Sequence, residues 1–216
     1  MNAILLCFVG VDGSGKTSHA SRLTLYLSKK GYPCKYVRVI SRPILLYFFL
    51  IFTKLCGYWG PFKKGVWLNP IFNAPESVAK NLEKIYRLLL LVDYALIIFW
   101  KVILPMRLKK ILICDRYIFD VIIELALSNL LTRRFAKALL SLSPFPNVVF
   151  FLNASSADIN KRRPEFSPEF LIKKQKMYRN LLKGLNLKIY TVDTSKSFNL
   201  NQLRIRRETL CILNLS

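Results

Sequence analysis

Gly10-Val-Asp-Gly-Ser-Gly15-Lys16-Thr17 is the stretch of this chain whose residue types and spacing point most directly to chemistry. It fits G-x-x-x-x-G-K-[ST], follows an apolar run from Ala3 to Val9, and precedes an amphipathic segment carrying Leu23, Leu25 and Leu27 that closes at Lys29-Lys30-Gly31. Strand, glycine loop and helix start therefore coincide. Glycines let such a backbone curl until successive N–H groups point at phosphate oxygens, and the helix N-terminus adds roughly half a positive charge. Lys16 then reaches the β and γ phosphates of a nucleoside triphosphate, and the Thr17 hydroxyl can ligate Mg²⁺. The expected triphosphate contacts are Gly10, Gly13, Ser14, Gly15, Lys16, Thr17 and Ser18. His19, the single histidine, reads as a polar surface residue.

A triphosphate site also needs a carboxylate opposite the phosphates, at the end of a neighbouring buried parallel strand. Ile111-Leu-Ile-Cys-Asp115 supplies one, which makes Asp115 the expected Mg²⁺ partner, through water. The next residues are Arg116 and Tyr117. An arginine at a strand end beside a Mg²⁺-phosphate site is placed to bind a second phosphate bidentately.

These two motifs together resemble thymidylate kinase and its relatives among the P-loop nucleoside-monophosphate kinases. The downstream chain agrees: Pro144-Phe-Pro146 leads into Asn147-Val-Val-Phe-Phe-Leu152, then a basic segment, a helix, and a last strand ending Val192-Asp193-Thr194. The resemblance covers nearly the whole chain except residues 44 to 75. It implies an α/β P-loop NTPase fold of three layers, with a five-stranded parallel sheet, helices on both faces and a lid segment. It also implies ATP and Mg²⁺ as cofactors, small nucleotide substrates with dTMP first among them, and a homodimer. Asp12 then corresponds to the acid that orients the acceptor, and Asp193, Thr194 and Ser195 to the loop that packs on adenine.

The same resemblance directs attention to the lid, at about 155–170. Pro164 breaks a helix running into Lys161-Arg162-Arg163, and Ser167-Pro168-Glu169 reads as the cap and first turn of another that ends at Gly184. A basic hinge between two helices is what a phosphate-covering lid requires. In the family the catalytic arginine comes from the P-loop or from the lid, and here Gly13-Ser14 offers none, so Arg162 or Arg163 is the candidate. The second strand, Cys34 to Ile40, ends in Ser41-Arg42-Pro43, where relatives carry Arg-Glu-Pro. Arg42 is thus the expected acceptor-phosphate ligand, with Arg38 as the alternative.

On the long helix from about Glu76 to Leu104, thymidylate kinases place an aromatic and an arginine around an acid that grips the base. This chain has Leu90, Asp93 and Tyr94 there, without the arginine. Asp93 in so apolar a helix is costly unless it faces a pocket, so it is expected in acceptor binding with Leu90 and Tyr94. Asp120 and Glu124, four apart, are either pocket-lining or helix-surface acids.

The elements that must hold these groups come from one domain of 216 residues, with 53% hydrophobic and 21% charged residues. That composition excludes a disordered chain or a disulfide-stapled miniprotein. Five cysteines without a C-x-x-C pair and one histidine argue for reduced thiols in the cytoplasm and against zinc. No signal segment is visible before Ala3.

The net charge is +22, shared as 15 bases and 4 acids in residues 1 to 108 against 19 and 8 in residues 109 to 216. No basic tail is set apart for nucleic acid, although a nucleic-acid-associated ATPase remains the reading that the charge alone would suggest. Between Asp12 and Glu76 stand ten Lys or Arg and no carboxylate. Within that stretch the uncharged run Ile44 to Thr53 is too short to span a bilayer. It and Leu88 to Trp100 read as core or dimer-interface helices. With Lys54, Lys63, Lys64, Tyr58, Trp59 and Trp67 the insertion also has the composition of a segment lying on an anionic membrane surface.

Overall fold

The computed structural model describes residues 3–40, 43–58, 72–108 and 110–214. Its centre is a five-stranded, all-parallel sheet in the order β2-β3-β1-β4-β5. The strands are β1 (Ile4–Gly10), β2 (Cys34–Arg38), β3 (Ile111–Asp115), β4 (Val148–Asn153) and β5 (Ile189–Asp193). β1, β3 and β4 read as unbroken apolar runs because both faces of a parallel sheet are covered.

The period-2 geometry of a strand divides each run between two cores. Leu5, Cys7 and Val9 of β1 join Leu112 and Cys114 of β3 on one face. Ile4, Leu6 and Phe8 join Ile111 and Ile113 on the other. The second face is covered by α1 (Lys16–Lys29) and α9 (Phe198–Asn214), which bring Leu23, Leu27, Ile205 and Ile212. The first face is covered by α3 (Glu76–Ile98), α5 (Ile118–Leu127), α6 (Arg133–Ser141) and α8 (Pro168–Lys183).

α3 buries Leu82, Tyr86, Leu90, Tyr94 and Ile98 at strict four-residue spacing, and Val102 continues the stripe. The helix then passes through a π-helical turn, Phe99–Ile103, into α4 (Leu104–Arg107). Pro105 lies two residues beyond that turn. Its ring clashes with the carbonyl four residues back and its nitrogen donates nothing, so a widened turn just before it relieves both problems. By length and composition alone, the continuous helix Glu76–Arg107 could cross a membrane. Its buried stripe joins the core on the first face of the sheet, while its other side stays largely exposed.

α2 (Ile44–Leu55) packs on α3 and leaves Ile44, Tyr47, Phe48, Phe52 and Leu55 more than half exposed. On α3 and its π-helical turn Leu88, Leu96 and Trp100 are at least half exposed as well. An apolar face thus runs along both helices. Of the insertion expected at 44–75, residues 59–71 lie outside the described residues, and with them Trp59, Lys63, Lys64 and Trp67.

The two helices around the expected lid segment form as the proline and the caps require. α7 (Ser156–Arg162) ends before Pro164, and Ser167 Oγ accepts from Phe170 N at 3.3 Å to open α8, with Pro168 in its first turn. Ser155 caps α7 in the same way, accepting from Asp158 N at 3.0 Å.

Candidate active site

The C-terminal ends of the strands line one edge of the sheet, the edge where α/β proteins bind ligands. Register puts Phe8 beside Asp115, Arg38 beside Asp115 and Gly10 beside Leu152. The glycine loop therefore leaves β1 between the ends of two neighbouring strands. Gly10 has φ 146°, and a Cβ there would sit 2.5 Å from the Leu152 carbonyl oxygen, so no side chain fits. Gly15 at φ 89° turns the chain into α1 in the left-handed conformation that glycine tolerates best.

The loop opens on a cleft of about 680 Å³. Among the described residues Lys16, Arg38, Arg116, Arg162, Arg163 and Lys196 line it, with Asp12 as the single carboxylate. Such a lining attracts polyphosphate. Lys16 Nζ donates to the carbonyls of Gly10 at 2.8 Å and Val11 at 2.7 Å. Burial pulls its ammonium down to about 8, against the opposing attraction of Asp12.

Asp115 sits fully buried where β3 ends. Its Oδ2 accepts from Thr17 Oγ1 at 2.7 Å and from Tyr36 OH at 2.7 Å. Its Oδ1 is buried without a hydrogen-bond partner. A carboxylate oxygen left over next to a threonine hydroxyl, at the foot of a phosphate loop, is a donor set that a Mg²⁺ ion completed by waters and phosphate oxygens fits. Tyr36 is a site residue that sequence reasoning missed. It stands at alternating register on β2, and nothing in the sequence announces that its hydroxyl reaches β3.

Arg116 has φ 64°, a left-handed backbone that is rare for an arginine, and such outliers gather at functional sites. Its Nη2 pairs with Asp12 Oδ1 across the loop. Lys16 Nζ lies 3.9 Å from the same oxygen, and Lys174 Nζ, from α8, lies 3.5 Å from Oδ2. Burial acts to raise the Asp12 carboxyl, but Lys16, Lys174 and Arg116 outweigh it and hold it at about 2. The end of α7 rests on the loop: Arg162 Nη1 donates to the Gly13 carbonyl at 3.1 Å, and the Arg163 side chain packs over Gly13. Arg163 Nη1 also lies 3.4 Å from Glu165.

Thr194 and Ser195, from the loop expected on the adenine side, line the cleft together with Lys196 and Phe198. Asp193 shapes that loop, accepting from Ser195 N at 3.1 Å and Ser195 Oγ at 2.6 Å. His19 is not a surface residue. It is 2% exposed, stacks on Phe198 at 4.4 Å, and its Nδ1 meets Gln202 Nε2 at 2.8 Å. α9 folds back over the start of α1 and covers it, which the sequence alone did not reveal. Burial drops the imidazole to about 4, so it is neutral at pH 7.

The expected acceptor residues divide. Arg38 and Arg116 line the cleft, while Arg42 lies outside the described residues. The Asp93 carboxylate accepts from Leu45 N at 3.1 Å and Leu46 N at 2.8 Å, capping α2 from a neighbouring helix. Leu90 and Tyr94 are 0% and 1% exposed within the core stripe of α3. Tyr117 is equally buried and donates its hydroxyl to the Pro144 carbonyl at 2.7 Å.

Asp120 and Glu124 are not surface acids either. Asp120 Oδ2 accepts from Tyr117 N at 2.9 Å and Oδ1 from Tyr178 OH at 2.8 Å, and Glu124 pairs with Lys174. Burial pushes the Asp120 carboxyl up, against the pull of Lys16 and Arg116.

The sheet order, the glycine loop and the Thr17–Asp115 pair define a P-loop nucleotide-binding protein of the α/β class. No family model matches the chain. Among curated proteins, the thymidylate kinase of Ehrlichia ruminantium (strain Gardel) is 30% identical over 207 residues, covering 91% of this chain and 92% of the relative. That of Aster yellows witches'-broom phytoplasma is 27% identical over 208 residues, covering 90% of each. The chain belongs to the thymidylate kinase family.

Proposed function

We propose that the protein is a Mg²⁺-ATP-dependent nucleoside-monophosphate kinase acting on dTMP to give dTDP. The observation that carries this reading is the convergence of Lys16, Asp12 and Arg116 in one cleft, beside the Thr17–Asp115 pair and under a lid that brings Arg162 and Arg163. The glycine loop and Lys16 hold the β and γ phosphates of ATP. Thr17 and Asp115 hold Mg²⁺, which when bound neutralises phosphate charge. Arg116 binds the acceptor phosphate, and Arg38, which lines the same cleft, shares that task with Arg42.

An oxygen of the acceptor phosphate forms the new bond to the γ phosphorus as the bond to the β-phosphate oxygen breaks, and ADP leaves. Asp12 orients the acceptor without removing a proton, since phosphate oxygens are ionised at neutral pH. Arg162 or Arg163 stabilises the charge on the transferring group, a task that can be worth about 10³ to 10⁵ in rate. Asp193 and Thr194 form the adenine-side loop. Two copies pair through the exposed apolar faces of α2 and α3, and the enzyme works in the cytoplasm.

A second reading, transfer to a different small acceptor, is favoured by one observation: Leu90, Asp93 and Tyr94 are committed to the core and to the cap of α2. No base-gripping arginine accompanies them. Coupled ADP release with dTMP, dUMP, dCMP, AMP, GMP and thymidine separates the two readings. Turnover on dTMP that is lost in Arg116→Ala supports the first, and turnover confined to another acceptor supports the second.

A further inference from the structure

The longest reach into the site comes from α8, which lies beyond the lid. Lys174 is 1% exposed, and its ammonium pairs with Glu124 of α5 and stands 3.5 Å from Asp12 Oδ2. A lysine buried to this degree is held only by carboxylates or by a function. Two neighbours on α8 fix its position: Gln175 Nε2 donates to the Ala154 carbonyl at 2.6 Å, and Tyr178 OH donates to Asp120. The helix cannot shift without breaking these contacts, so the ammonium is fixed beside the P-loop acid.

Asp12 therefore has two oxygens with two different owners. Oδ1 pairs with Arg116, with the Lys16 ammonium 3.9 Å away, and Oδ2 faces Lys174. Arginine and carboxylate left to themselves favour the forked, two-bond pair, in which both oxygens of the acid engage the guanidinium. Here the pairing runs through Nη2 to a single oxygen, and the same guanidinium lines the cleft.

The geometry points to Lys174 as a positioning residue for acceptor binding: by holding Asp12 Oδ2, it keeps Asp12 from closing both oxygens onto Arg116, so that the guanidinium stays open to the acceptor phosphate. This rests on the reading of Arg116 as the acceptor-phosphate ligand. Glu124 holds the ammonium in place from the other side. In Lys174→Met the carboxylate is free to turn, the forked pair forms, and an incoming phosphate must compete with it.

The test combines kinetics with structure. Lys174→Met is expected to raise the acceptor KM about tenfold or more, the equivalent of one charge-assisted hydrogen bond, with the ATP KM unchanged. Because Lys174→Met leaves Glu124 without its ammonium, the double variant Lys174→Met/Glu124→Gln removes both charges and serves if the single variant does not fold. Against an Asp12→Asn background, Lys174→Met is expected to add nothing further to the acceptor KM, since the residue acts through that carboxylate.

A rise shared equally by both substrates, or an additive effect in the Asp12→Asn background, overturns the proposal. If the unaltered enzyme turns over no monophosphate at all, the reading of Arg116 fails instead. Crystal structures of the unaltered and Lys174→Met (or double-variant) proteins then still decide: Oδ2 turned onto Arg116 in the variant supports the positioning role, and an unmoved carboxylate overturns it.

Discussion

Asp93→Ala separates a structural from a binding role for the one carboxylate in the apolar half of α3. Asp93 is 3% exposed, and each of its oxygens accepts a backbone N–H from the first turn of α2, at 3.1 and 2.8 Å. Those N–H groups are among the donors that a helix start leaves without partners, and Pro43 at the cap position contributes no side-chain acceptor. A hydrogen bond to a charged group contributes about 1.5 to 3 kcal/mol, and the helix N-terminus favours a negative charge by up to about 1 kcal/mol more. The two bonds share one carboxylate, so their sum is not additive, and about 3 kcal/mol is a fair expectation for loss of the whole group.

In a domain of this length each kcal/mol moves the melting temperature by about 2 to 4 °C. Asp93→Ala should therefore melt about 6 to 12 °C lower, while Asp93→Asn, which keeps one acceptor oxygen, loses less than half of that. Thermal unfolding followed by circular dichroism measures the shift, and steady-state kinetics well below the transition measures the acceptor KM. A variant that melts within 2 °C of the parent but binds its acceptor tenfold more weakly would refute the capping argument and return Asp93 to the pocket.

Arg116→Lys keeps the charge but loses the fork, so kcat/KM for the acceptor should fall about 10²-fold in coupled ADP assays, with the ATP KM little changed. Arg162→Ala should cost more in kcat than Arg163→Ala, because Arg162 already reaches the loop at the Gly13 carbonyl while Arg163 lies near Glu165. The carboxyl of Asp12 is held at about 2 against an ordinary 3.8. Its contribution of about 2 kcal/mol is present in full above pH 4 and disappears as pH falls through 2, so Asp12→Asn should flatten acid unfolding in that window. Light scattering should give about twice the 25.1 kDa chain mass, reverting to one chain in Leu88→Asp/Leu96→Asp if the α2–α3 face pairs copies. Vesicle sedimentation at low salt tests the same face for lipid, and binding only to anionic vesicles by a monomer would replace the dimer.

The sequence made the central strands legible because parallel strands bury both faces and leave uninterrupted apolar runs at Ile4 to Val9, Ile111 to Cys114 and Val148 to Leu152. The helix boundaries around residues 162–168 were legible from punctuation: Pro164 stops one helix, and Ser167 with Pro168 starts the next. Both signals are local, and local signals survive in a single sequence. Strand ends were less sharp. β2 stops at Arg38 rather than at Ile40, because it pairs on one side only and its last residues have no ladder partner.

What stayed hidden depends on contacts between residues far apart in the chain. Lys174 and Glu124 are separated by 50 residues, Lys174 and Asp12 by 162, and Tyr36 and Asp115 by 79. Nothing in the spacing of α8 marks Lys174 apart from the other basic residues of a chain with 34 of them, since a surface lysine and a buried one have the same letter. The acids carry more information because there are only 12. Asp12, Asp93, Asp115, Asp120 and Glu124 are all buried, nearly half of the chain's carboxylates, and each has at least one polar partner. In so basic a chain, a carboxylate on an apolar element is the rare observation, and the cost of burying it says that something specific holds it there. For Asp93 that inference identified a buried acid with a fixed task, and only the neighbouring helix could show that the task was to start α2.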